Sequence, residues 1–217
     1  MLEVNNIDLF YGAAQALRGV SLKVEPGKVA CVLGRNGVGK TSLLRAIVGQ
    51  QPVKNGSISF EGKDITKTAP ADRARMGIAF VPQGREIFPL LTVEENLETG
   101  FAPLKRADRS IPDDVYSLFP VLKSMTRRRG GDLSGGQQQR VAIARAMIHQ
   151  PKIILADEPT ANLDKKTAAD IIGLMCTLNK ESGVTFIFST HDPMFMDSAS
   201  RIIKVSDGQL ISSGLDG

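Results

Sequence analysis

Residues 34–41, Gly34-Arg35-Asn36-Gly37-Val38-Gly39-Lys40-Thr41, fit the spacing G-x-x-x-x-G-K-[ST]. This spacing constrains the fold because such a loop works only between a buried strand and the start of a helix. Both neighbours are present: Val29-Ala30-Cys31-Val32-Leu33 is an apolar strand pattern, and Ser42 to Val48 reads as a helix. Glycines let successive N–H groups point inward at phosphates, Lys40 supplies a charge for the β- and γ-phosphates, and Thr41 offers a hydroxyl to Mg²⁺. A chance match in a chain this long is expected on the order of one per cent of the time. A nucleoside triphosphate site is therefore the better reading than a glycine-rich turn that binds nothing.

A chain of 217 residues holds one substantial core, alone or with a small insertion. No apolar run approaches the roughly 20 residues that cross a bilayer, so no direct insertion into lipid is expected. Met1-Leu2-Glu3-Val4 shows no basic region followed by an apolar stretch. Cys31 and Cys176 lie in apolar segments, which points to free buried thiols and a cytoplasmic chain. The net charge of +4 concentrates at Arg127-Arg128-Arg129 and Lys105-Arg106. With no Trp and two Tyr, Tyr11 and Tyr116, stacking platforms are scarce and no nucleic-acid partner is expected.

Alternating apolar positions (Leu2, Val4, Ile7, Leu9; Val20, Leu22, Val24) and a short glycine-bounded strand at 56–62 predict an antiparallel sheet beside the loop. Gly77 to Val81 reads as a buried strand. From there to about residue 139 the pattern is mostly helical, including a helix over Asp113 to Met125 and one opened by a Thr92/Glu95 capping box. Strand and helix alternate again from Lys152: Ile153 to Ala156, a helix from Lys165 to about Asn179, then Val184 to Phe188. A parallel α/β core with a helical insertion accounts for this order. The strands ending at Leu33 and Ala156 are expected side by side.

The Ile153–Ala156 strand ends in Asp157-Glu158. Asp157 is placed to hold Mg²⁺ directly or through water, and Glu158 to polarise the water attacking the γ-phosphate; the plainer alternative is a helix cap or surface turn. Leu133-Ser134-Gly135-Gly136-Gln137 opens a helix, either as an anion site at its positive end or as a Ser cap with flexible glycines.

In this order the motifs resemble the ATP-binding cassette family over essentially the whole chain. That resemblance implies a RecA-like P-loop NTPase fold, with 1–84 and 140–217 forming the β subdomain and ATP-binding core and 85–139 a helical subdomain. It implies that ATP and Mg²⁺ are bound by Asn36, Gly37, Gly39, Lys40, Thr41 and Ser42, with Tyr11 stacked on adenine. Gln83 would contact Mg²⁺ and the attacking water, His191 the γ-phosphate, and the loop Asn162-Leu163-Asp164 would communicate across a dimer. Simpler roles are an edge-strand aromatic for Tyr11, a turn for Gln83, and a cap or core position for His191. Two chains would pack head to tail, Ser134, Gly135, Gly136 and Gln137 of one closing over the other's ATP. The dimer would drive an integral membrane permease from the inner face of the cell membrane. Soluble cassette proteins acting on ribosomes or DNA usually carry two cassettes or a long coiled coil, and this sequence has neither.

Residues 1–139 resemble the branched-chain amino acid and urea importer branch, notably Gly34 to Gly49, Gly77 to Pro89 and Val115 to Pro120. Residues 140–217 resemble the lipoprotein-release and macrolide-export branch, notably Val141 to Ala146, Ala156 to Asp164 and Ser189 to Pro193. The mosaic reads as a recombined or engineered chain, a chimera joined in or next to the signature helix, rather than a natural one. The importer-like insertion predicts an importer-like docking surface.

Overall fold

A computed structural model describes residues 1–214. The strands are β1 (Leu2–Tyr11), β2 (Ala14–Val24), β3 (Val29–Leu33), β4 (Asn55–Phe60), β5 (Lys63–Asp64), β6 (Ile78–Val81), β7 (Ile153–Ala156), β8 (Thr185–Thr190), β9 (Arg201–Ser206) and β10 (Gln209–Gly214). The α-helices are α1 (Lys40–Val48), α2 (Pro70–Arg75), α3 (Val93–Glu98), α4 (Asp113–Leu118), α5 (Pro120–Lys123), α6 (Gly135–Met147) and α7 (Lys165–Ser182).

The alternation in the first 24 residues becomes an antiparallel sheet of order β2-β1-β4-β5, with Leu2, Val4, Ile7 and Leu9 buried. The second sheet has the order β10-β9-β3-β8-β7-β6 and is parallel from β9 to β6. Its two faces divide the core. Ala30, Val32, Leu155 and Ile187 face α1 and the antiparallel sheet, whereas Cys31, Ile154, Phe186 and Phe188 pack among residues of α6, α7 and the insertion.

The strands ending at Leu33 and Ala156 are not neighbours, contrary to the sequence expectation. β8 lies between them, pairing with β3 through Val29↔Phe186 and with β7 through Ile153↔Thr185. All three strands are apolar and covered on both faces, so their residue patterns carry no mark of which strand lies beside which.

Within the insertion, Asp113 to Met125 is not one helix. Pro120 cannot continue the turn, Phe119 adopts φ −126° and ψ 64°, and the segment divides into α4 and α5. Helix α7 runs three residues beyond Asn179 and stops at Gly183, whose φ of +68° forms a left-handed C-cap. The Thr92/Glu95 capping box is present. Cys31 is buried, but Cys176 is only half-buried and donates to the Ser198 carbonyl at 3.5 Å.

Candidate functional site

The phosphate-loop motif becomes a strand–loop–helix turn. Gly34 N–H leaves β3 by donating to the Thr190 carbonyl at 3.2 Å, and α1 begins at Lys40 behind Gly39, with no side chain capping its first turn. The free N–H groups of that turn suit an anion. Gly39 has φ +110°, and a Cβ there would lie 2.9 Å from the Ala16 carbonyl oxygen, so only glycine fits this approach to β2.

Lys40 folds back over its own loop, donating to the carbonyls of Gly34 at 2.7 Å and Arg35 at 3.0 Å. Its ammonium also stands 3.0 Å from Glu158 Oε1. That oxygen accepts no well-directed hydrogen bond, so charge attraction is its link to Lys40. Glu158 itself sits at φ +46°, a conformation non-glycine residues hold only where surroundings enforce it. Ser189 supplies the enforcement: its Oγ accepts from Glu158 N–H at 2.8 Å and donates to Asp157 Oδ1 at 2.6 Å. On the other side, Glu158 Oε2 meets His191 Nδ1 at 2.9 Å, which places a proton on Nδ1 because a carboxylate only accepts. The position of β8 explains this convergence. Its carboxyl end delivers Ser189, Thr190 and His191 between the phosphate loop and Asp157-Glu158.

Of these groups, Lys40 and Glu158 border a cleft of about 510 Å³. Lys40, Thr41 and Ser42 line one side with Asn36, Gly37 and Gly39; Tyr11, Gln83 and Glu158 line the rest. Tyr11 is 41% exposed at the end of β1, where a flat ligand can reach its ring. Ala16 also lines the cleft, and Ser189 orders the carboxylates; neither carried a recognisable sequence signal beyond being a small residue next to a motif. Asp157 does not line the cleft but lies buried behind it on Ser189. His191 reaches the site through Glu158 and is 55% exposed.

Thr41 Oγ1, the Gln83 amide oxygen and the Asp157 carboxylate are hard oxygen donors of the kind Mg²⁺ takes alongside phosphate oxygens and water. Among the described residues no group of three or more His, Cys, Asp or Glu is gathered for a closed metal centre. The donor set fits an ion shared with a phosphate ligand.

Ser134 caps α6, accepting from Gln137 N–H at 3.4 Å while Gln137 Oε1 accepts from Ser134 N–H at 3.0 Å. Gly136 packs closely enough on α7 that a Cβ would lie 2.5 Å from Thr167 Cγ2. Asp164 caps α7 through Thr167 Oγ1 at 2.6 Å and Thr167 N–H at 3.0 Å, bonds that hold its carboxyl below the usual range. Within one chain, Ser134 to Gln137 and Asp164 do not line the cleft.

Residues 17–161 match the family model described as ABC transporter. That span holds the phosphate loop, Gln83, the signature and Glu158, but not Tyr11, Asp164 or His191. The chain is 34% identical to the branched-chain amino acid transport ATP-binding protein BraG of Pseudomonas aeruginosa, covering 97% of this chain and 91% of that one. It is equally 34% identical to the bacitracin export ATP-binding protein BceA of Halalkalibacterium halodurans, covering 97% and 87%. The dimeric post-hydrolysis structure of the cassette MJ0796 bound to ADP and Pi superposes with a TM-score of 0.87 at 30% identity, over the whole of both chains. The phosphate loop, the Asp157-Glu158 strand end and these matches together place the chain in the ABC transporter family, as its ATP-binding and ATP-hydrolysing domain.

Proposed function

We propose that this chain is the ATPase subunit of a membrane transporter and works as a head-to-tail homodimer. The observation that carries the reading is Glu158, held between Lys40 and His191 at the edge of a cleft lined by the phosphate loop. ATP is the substrate, with its adenine over Tyr11 and its phosphates against the N–H groups of Gly37 to Ser42. Mg²⁺, when bound, neutralises charge on the β- and γ-oxygens. Thr41 and Gln83 would hold it, with Asp157 acting directly or through water.

Lys40 exchanges the Gly34 and Arg35 carbonyls for phosphate oxygens. Glu158, released from Lys40, orients water for in-line attack, and His191 steadies the phosphoryl charge while its Nδ1 proton orders Glu158. Each cleft is completed by Ser134, Gly135, Gly136 and Gln137 of the other copy, across a contact that includes Asp164. The superposition on a dimeric cassette supports this arrangement.

The chain acts as one domain, since Val93, Leu97, Val115, Phe119 and Leu122 of the insertion share a cluster with Ile154 and Phe186 of the sheet. No helix among the described residues is long and apolar enough to cross a membrane. We place the dimer at the cytoplasmic face of the cell membrane, docked on a permease through residues 85–139. A groove of about 390 Å³ between α2, β6, the insertion and α6, flanked by the half-exposed Phe88, supports that docking surface. The two-branch mosaic favours a second reading, a recombined nucleotide-binding domain with no native permease.

Glu158→Gln with ATP and Mg²⁺ tests the composite site. The amide keeps the side chain's shape but cannot activate water, so the variant elutes as a dimer in size-exclusion chromatography. A monomeric profile at high protein and ATP concentrations removes the composite site.

A further inference from the structure

The segment after Gln83 is held in an unfavourable backbone conformation by two arginines. Gly84, Arg85 and Glu86 have successive φ values of +84°, +70° and +45°. Glu86 N–H donates to the Gly84 carbonyl at 2.8 Å, closing a tight turn around Arg85. Only glycine accepts such a φ without strain, so something must hold the other two. Arg145, on α6, does so with one guanidinium: Nη1 donates to the Glu86 carbonyl at 2.9 Å and Nη2 to the Arg85 carbonyl at 3.2 Å.

The side chain of Arg85 extends to two other elements. Its Nη1 donates to Gln138 Oε1 on α6 at 3.2 Å, and its Nη2 to the Ala161 carbonyl at 3.4 Å. Ala161 N–H in turn donates to the Glu158 carbonyl at 3.0 Å. The guanidinium lies so close to the signature that a Cβ on Gly135 would be 3.1 Å from Nη2. A cation beside a helix N-terminus opposes the helix dipole, so helix electrostatics alone would not place it there. The fork of donors does, because one planar group reaches an amide oxygen and a backbone carbonyl that belong to different elements.

We propose that Arg85 is a positioning residue that fixes the first turn of α6 relative to the loop following Glu158. Resting on the composite site proposed above, it sets where Ser134 and Gly135 of one chain meet the phosphates held by the other. Arg85 touches neither substrate nor metal. Its effect is expected on dimerisation and turnover, not on nucleotide binding by a single chain. It also joins the importer-like and exporter-like parts, since Gln138 and Ala161 lie on opposite sides of the apparent join.

The test replaces Arg85 by Met, which keeps the aliphatic stem, and by Lys, which keeps the charge without the fork, each with and without Glu158→Gln. Nucleotide affinity of the monomer is measured by fluorescent ATP-analogue titration, dimerisation by size-exclusion with ATP and Mg²⁺, and folding by thermal melting. Arg85→Met should leave monomer affinity within about twofold, raise the protein concentration for half-dimerisation about tenfold, and lower kcat similarly without raising KM. Arg85→Lys should behave like Arg85→Met. Full rescue by Lys would assign the effect to charge and overturn the clamp, as would unchanged dimerisation in Arg85→Met. An equal loss of monomer affinity and melting temperature would make the residue merely structural and also overturn it. Failure of Glu158→Gln to dimerise with Arg85 intact would instead defeat the composite site.

Discussion

Lys40 Nζ stands 3.0 Å from Glu158 Oε1, and the two side chains are 5% and 6% exposed. The ammonium proposed to meet the phosphates and the carboxylate proposed to activate water are thus paired with each other beside the cleft. On the proposed mechanism, a bound triphosphate draws Lys40 away and frees Glu158 to orient water.

Lys40→Ala therefore does two things. It removes the lysine of the phosphate loop, so nucleotide binding measured by calorimetry disappears, and it leaves Glu158 buried against a lost partner at a cost of about 3 kcal/mol. Adding Glu158→Gln to Lys40→Ala should recover melting temperature without recovering binding. His191→Ala should retain binding and lose turnover. Equal loss of affinity in the Lys40 and His191 variants would refute the division of roles.

His149 is the source of a pH dependence. Both ring nitrogens are buried without a hydrogen-bond partner, and burial pushes the imidazole below its ordinary value of 6.5. The unfolded chain takes up a proton near pH 6.5 that the folded chain resists. The stability involved is present above that pH and lost as pH falls through the folded value. Between pH 7 and 5.5 the melting temperature should fall more in the parent than in His149→Met. Parallel curves would exclude His149 as the cause.

Gly136→Ala places a methyl 2.5 Å from Thr167 Cγ2, whose hydroxyl is tied to Asp164. Urea unfolding should register a loss of about 1–3 kcal/mol. Thr167→Ser removes the opposing methyl and keeps the hydroxyl, so the double variant should recover most of that loss. No recovery would show that the strain arises elsewhere.

Pull-downs with membrane permeases test the docking surface. The importer-like residues 85–139 predict retention by a branched-chain amino acid or urea permease over a lipoprotein-release one. The opposite preference would reject the docking assignment. Helix α6 spans the apparent join and buries Gln139 beside Val141 to Ala144, so the chain should purify stably folded. Aggregated or cold-labile protein would mean the two parts do not share a core.

Local chemistry was legible before the fold. Glycine spacing from Gly34 to Gly39 determined a strand–loop–helix turn because positive φ at Gly37 and Gly39 is a property of single residues. The capping pairs Thr92/Glu95 and Ser134/Gln137 act within one turn, and the first pair was readable for the same reason. Pro120 marked a break in Asp113 to Met125 that helical periodicity concealed.

Strand order was decided only in three dimensions, and much of the site depends on it. With β8 between β3 and β7, Ser189 can hold Asp157 and Glu158 together, and His191 can reach Glu158. Arg85 likewise meets Gln138 and Ala161 across 53 and 76 residues of chain. Such contacts depend on how helices pack on the sheet and return the chain to it. An apolar strand buried on both faces would satisfy its hydrogen bonds beside any of its neighbours, so its residues alone do not choose among them.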